Sequence, residues 1–227
     1  MIRLLFDLKR RFYTYHRTGG KNTMQKEKLN SLIKYHLVLM AILGVLSAVA
    51  FIVYCYAAFT QYTDVTGKSV VYSAANATLF QTLAMCAGIV YLSKGYGKKD
   101  AGFYKAFLVL AALSFIGTIM YNIFTLKSDG PSFVNILCFV LMLCIFVLLL
   151  VLAFGKDMGK RNTWRIFSVL LVLAVVLFCI NLVNVLFDGV ASVVMTITFH
   201  LTRLFMIGTI GIAIIAKYAD KTARGTL

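Results

Sequence analysis

Six stretches of this chain, residues 35–60, 70–93, 106–126, 131–155, 166–187 and 189–216, run almost without charge for about 20 residues or more. Nothing else in the sequence constrains the fold as tightly. Bilayer hydrocarbon is about 30 Å thick, and a helix rising about 1.5 Å per residue needs about 20 apolar residues to cross it. Across the whole chain 61% of residues are hydrophobic and 14% charged, where a soluble domain carries about 25% charged residues. The expected class is all-α, a polytopic integral membrane protein with six transmembrane helices.

Short polar breaks separate the stretches: Gln61–Ser69, Lys94–Lys105, Lys127–Gly130, Lys156–Arg165 and the tight Phe187-Asp188-Gly189 turn. The one proline, Pro131, follows Asp129-Gly130. A helix can start there, because the missing N–H would have had no partner in the first turn. Asn122…Asp129-Gly130 recurs as Asn181…Asp188-Gly189, which suggests three helical hairpins; chance matches in an apolar sequence explain it equally well.

Basic residues give the orientation, since cytoplasmic loops collect Lys and Arg. One side holds Lys26, Lys28 and Lys34 with the rest of the N-terminal basic segment, then Lys94, Lys98, Lys99 and Lys105. It also holds Lys156, Lys160, Arg161 and Arg165, and finally Lys217, Lys221 and Arg224. The other side has Lys68 and Lys127. Both termini are expected in the cytoplasm of a multi-pass cell (plasma) membrane protein. The formal net charge of +15 is then absorbed by this bias toward anionic lipid, and no nucleic-acid partner is expected.

Three regions follow: a basic cytoplasmic or interfacial segment at 1–34, the six-helix domain at 35–216 and a basic tail at 217–227. In the first, Leu4, Leu5, Leu8, Phe12 and Tyr15 share a helical face, as a helix lying on the cytoplasmic leaflet would require. The competing reading is that translation starts at Met24. Thr18–Thr23 can be encoded by a purine-rich, ribosome-binding-like stretch, which would make the source bacterial and the membrane a bacterial inner membrane.

Cys55, Cys86, Cys138, Cys144 and Cys179 all fall within the apolar stretches without paired spacing, as buried free thiols do. Nucleotide-loop, nucleophile-elbow and zinc-protease motifs are absent from the sequence. No Asp or Glu lies inside any of the six stretches, so intramembrane hydrolysis by paired carboxylates is disfavoured. No catalytic residue, metal site or cofactor is expected.

Polar side chains are instead grouped by depth. Gln81 lies in the second helix, Asn122 toward the outer end of the third, and Asn181 and Asn184 on one face of the fifth. In the sixth, Ser192, Thr196, His200 and Arg203 follow at i, i+4, i+8 and i+11, which places them on one face. Polar groups facing lipid without partners are costly. The pattern therefore suggests a pocket opening outward, lined by Arg203, His200, Asn181, Asn184, Gln81, Thr196 and Asn122. Interfacial and capping roles account for residues nearer the helix ends.

Arg203 is the sharpest signal. It lies about 21 Å along the sixth helix from Gly189, near the midplane, where an arginine costs about 2.5–3.5 kcal/mol to insert. Neutral acceptors, water, an acid from a partner helix or an anionic ligand could each compensate it, and a guanidinium fork suits carboxylate or phosphate. His200, one turn away, reads either as a ligand contact or as a histidine bonded to a neighbouring helix.

The leading expectation is a small transport or solute-binding membrane protein taking an anionic small molecule. The alternative is a non-enzymatic accessory or scaffold subunit whose Arg203 pairs with an acid in a partner's helix. A lipid-acting intramembrane enzyme, with His200 as base, ranks third. Beyond the bilayer, a membrane partner subunit or a homo-oligomer remains open. Six helices with both termini inside and polar groups in the outer half resemble the substrate-capturing membrane component of energy-coupling vitamin transporters. That resemblance covers topology and size alone.

Overall fold

A computed structural model describes residues 22–61, 63–93, 101–129, 132–155, 158–185 and 190–223. They form six helices: α1 (Asn22–Thr60), α2 (Val65–Ser93), α3 (Ala101–Asp129), α4 (Phe133–Phe154), α5 (Gly159–Val185) and α6 (Val190–Ala223). Each contains a segment long and apolar enough to cross a membrane, consistent with a six-span membrane protein. The leaflet-helix reading of residues 1–21 falls outside the described residues. From Asn22 onward α1 is continuous into the first span, and α6 continues past the last span to Ala223.

Local chemistry sets the helix starts. Asp64 Oδ2 accepts a 2.7 Å hydrogen bond from Gly67 N, capping α2 several residues before its apolar stretch begins. At α4 the start expected at Pro131 moves to Phe133, because Ser132 is the N-cap. Its hydroxyl accepts from Asn135 N at 3.1 Å, satisfying a first-turn donor that has no partner within the helix.

Each helix packs on the next in sequence, and α6 also touches α1, α2 and α3. Burial follows polarity. The share of the span buried in the protein is 72% for α6, 50% for α2 and 44% for α3, against 33%, 28% and 17% for α4, α5 and α1. The three least apolar spans are the three most covered, as expected where lipid tolerates apolar faces and excludes polar ones. On α1, Val38, Ile42, Val45, Val49, Ile52, Tyr56 and Phe59 are all more than half exposed. Their alternating spacing of four and three residues makes one continuous face suited to lipid. The opposite face of α1 buries Ile33, Met40, Ser47 and Ala58.

The backbones of α2 and α3 approach closely at Gly117. A Cβ at Gly117 would lie 2.6 Å from Ala77 N and 2.8 Å from Ala77 Cα, so only glycine permits this crossing. Gly88 similarly admits Met40 and Phe107, and Gly211 admits the Phe167 ring. Further along the α2–α3 pair, the Tyr91 and Tyr104 rings lie 5.5 Å apart. At that same end the Tyr218 and Thr163 hydroxyls are 3.0 Å apart. These contacts gather the end of α2, the start of α3, the start of α5 and the end of α6 at one pole. His36, near the start of α1, reaches Thr209 on α6 at 2.8 Å and stacks on Phe205 with centroids 4.4 Å apart.

Candidate functional site

Because α6 is the most enclosed helix, Arg203 is drawn into the protein interior and is 3% exposed. Its side chain turns toward α3. Nη2 donates to the Ser114 carbonyl at 2.8 Å and to Thr118 Oγ1. The Thr118 hydroxyl proton goes to the Ser114 carbonyl at 3.3 Å, which leaves its oxygen lone pairs turned to the cation. The guanidinium carbon lies 4.7 Å from the Phe115 ring centroid and 4.2 Å from that of Phe199. Tyr54 of α1 is near enough to interact electrostatically with both Arg203 and Tyr121.

Two hydrogen bonds to a charged donor contribute about 1.5–3 kcal/mol each, and each ring face about 0.5–2 kcal/mol. These interactions are of the size needed to hold an arginine near the midplane. They leave the cation incompletely satisfied. Of its five N–H donors, those on Nε and Nη1 have no hydrogen-bond partner among the described residues. No ion pair to Arg203 is found among the described residues either, in keeping with the absence of Asp and Glu from the apolar stretches.

Gln81, 1% exposed, sits on the adjacent α2. Its Nε2 donates to Ser47 Oγ of α1 at 2.8 Å, while its Oε1 is buried without a partner among the described residues. His200 is buried one turn before Arg203, and its ring meets Phe199 edge-on at 5.3 Å.

Asn122 and Asn181 make their hydrogen bonds to groups other than the cation. Asn122 Nδ2 donates to the Thr118 carbonyl at 2.9 Å and approaches Met142 Sδ at 3.7 Å. Asn181 Nδ2 donates to the Leu177 carbonyl at 2.8 Å and approaches Cys138 Sγ at 3.9 Å. Each amide thus bonds back to its own helix four residues earlier and faces α4, where Cys138 and Met142 occupy one face. Asn184 and Thr196 lie in helices α5 and α6, but their side chains are outside the described residues.

Ser114, Phe115, Thr118 and Phe199 are not among the sequence-derived candidates. Ser114 and Thr118 are spaced four apart, so they form a polar stripe on α3, and that spacing was the available signal. Among the described residues no group of three or more His, Cys, Asp or Glu is placed to hold a metal ion. The five thiols are free, but only Cys138 is buried within the protein; Cys55 is half-buried, and Cys86, Cys144 and Cys179 are exposed on the helix surfaces.

Comparisons with protein-family models, with curated proteins and with solved structures found no match. The architectural resemblance to vitamin-transporter components therefore carries no further weight, and the site must speak through its own chemistry.

Proposed function

We propose that this protein binds, and in its membrane moves, a small anionic solute that docks on Arg203. One observation carries the reading: a cation almost fully enclosed by the protein keeps unpaired N–H donors on Nε and Nη1 and has no carboxylate among the described residues. An unsatisfied buried donor costs about 1–3 kcal/mol, and a bound anion would remove that cost while neutralising the charge. Helices α2, α3 and α6, which pack on one another, would supply the walls around such a ligand. A pairing with an acid on a partner's helix would call for an arginine facing lipid, and this one faces α3. The third reading, a lipid-acting intramembrane enzyme with His200 as base, ranks last because the sequence offers no convincing nucleophile beside His200.

In this reading the pole bearing Lys105, Lys160, Arg161 and Arg165 faces the cytoplasm, following the positive-inside rule. The Arg203 site then lies nearer the middle of the membrane, approached from the opposite side. No nucleotide-hydrolysing motif occurs in the sequence, so uphill movement would draw on an ion gradient or a separate subunit.

Thermal stability of the purified protein in detergent tests the proposal. Wild type should melt higher in millimolar concentrations of at least one small carboxylate or phosphate, and Arg203→Leu should show no such rise. A wild-type melting temperature indifferent to every anion screened would remove the basis of the reading.

A further inference from the structure

Two buried polar groups in the bundle are left over, and they are chemically complementary. Arg203 on α6 lacks acceptors for Nε and Nη1, and Gln81 on α2 lacks a partner for Oε1, among the described residues. Their relative depth can be read from the α2–α3 register. Ala77 faces Gly117, and Tyr91 faces Tyr104, so the two helices run antiparallel, and Gln81 falls level with Leu113 and Ser114. Ser114 is the residue whose carbonyl receives Arg203. Helix α6 packs against both α2 and α3. The spare cation donors and the spare amide half therefore sit at one depth of the interior, on neighbouring helices, without bonding to each other.

A molecule satisfying both needs an anionic acceptor at one end and a hydrogen-bonding group at the other. Charge sets the first end. Arg203 is the one charged side chain within residues 35–60, 70–93, 106–126, 131–155, 166–187 and 189–216. A monoanion neutralises it, whereas a dianion such as a phosphate monoester would leave net negative charge in a medium that penalises it. That favours a carboxylate. Amide chemistry sets the second end. Gln81 contacts Ser47 through one half of its amide, and whichever way round the amide sits, one half remains for a ligand. A hydroxyl serves in both cases, because it can donate to Oε1 or accept from Nε2.

Building on the anion-binding reading, we infer that the ligand is a small monocarboxylate that also carries a hydroxyl, its carboxylate on Arg203 and its hydroxyl on Gln81. The apolar walls contributed by Phe115 and Phe199 leave a short aliphatic body as the natural link between the two ends. Selectivity over the deoxy analogue follows, since that analogue leaves the already buried Gln81 amide half without the partner a hydroxyl supplies.

Calorimetric titration of the full chain in detergent tests this with butyrate, 2-, 3- and 4-hydroxybutyrate, and inorganic phosphate. The expected result is that at least one hydroxybutyrate binds about tenfold more tightly than butyrate, the factor of one well-made buried hydrogen bond. In Gln81→Leu that advantage should shrink to about twofold or less, with butyrate itself held within about threefold. The wild-type ratio decides the matter even where the variant does not fold. Hydroxybutyrates no tighter than butyrate, or an advantage kept in Gln81→Leu, would overturn the assignment while leaving anion binding at Arg203 intact. Phosphate binding more tightly than every carboxylate would do the same. Absence of binding by all five compounds would overturn both, and would point to water bridging the two residues.

Discussion

Arg203 of α6 and Ser114 of α3 are joined by a 2.8 Å hydrogen bond from a guanidinium N–H to a main-chain carbonyl. The most enclosed helix is thereby anchored to a neighbour through the one charged side chain of the six apolar stretches. Thr118, one turn further along α3, accepts from the same nitrogen. The pair functions as a two-point bracket that holds one nitrogen and leaves Nε and Nη1 available.

The bracket can be cut at one point without changing side-chain volume. Thr118→Val removes the acceptor and should lower stability by about 1.5–3 kcal/mol, the range for a hydrogen bond to a charged group. In an Arg203→Leu background the same substitution should cost far less. Denaturation of the four proteins in detergent yields the coupling energy of the pair, and a coupling indistinguishable from zero would deny the bracket its role.

Glycine substitutions should divide sharply by position. Gly117→Ala places a methyl group 2.6 Å from Ala77 N, and overpacking of this kind costs about 1–3 kcal/mol or more. At Gly102 the added methyl group meets nothing within 4 Å. Gly102→Ala should therefore be neutral or stabilising by up to about 1 kcal/mol through helix propensity. Melting temperatures of the two variants, measured side by side, check the contrast.

His36 and Thr209 form a second inter-helix link, and its proton assignment can be reasoned out. Thr209 Oγ1 donates to the Phe205 carbonyl at 2.9 Å, so in its 2.8 Å contact with His36 it accepts from Nε2–H. Thr209→Val strands that donor and should destabilise by about 1–3 kcal/mol. His36→Phe in the same background keeps the stacking on Phe205 and removes the stranded group, so the double variant should be more stable than Thr209→Val alone. Thermal unfolding of the series shows whether the rescue occurs.

Asn122 and Asn181 should matter little for solute binding. Both amides are held by carbonyls of their own helices and face α4. Asn122→Leu and Asn181→Leu are each expected to leave anion affinity within about threefold of wild type, below the roughly tenfold change that loss of a direct ligand hydrogen bond brings. A tenfold loss in either titration would place that residue on the ligand.

The six helices were legible in the sequence because the apolar length needed to cross a bilayer is long and leaves few alternatives. Arg203 was legible for the same energetic reason, since an inserted charge stands out against an apolar background. Its protein partners were harder to foresee. The Ser114 carbonyl is a main-chain group that every residue possesses, and only the rotation of α3 against α6 selects it. The rotation of α3 also turns Asn122 toward α4, and the packing of α5 on α4 turns Asn181 to the same helix, so the polar residues separate into an amide seam and a cationic site. Gly117 went unnoticed because its close approach to Ala77 belongs to no repeating small-residue spacing. The start of α4 moved from Pro131 to Phe133 because the Ser132 hydroxyl makes the better cap.

The most direct test of the account is nitrogen-15 NMR of arginine-labelled protein in detergent or lipid, with the Arg203 Nε resonance identified by its loss in Arg203→Lys. The account predicts that a bound hydroxycarboxylate shifts the Nε resonance of Arg203, with saturation at the calorimetric affinity and little change at the surface arginines. An Arg203 resonance that stays fixed while the anion binds elsewhere, or while no anion binds, would contradict it.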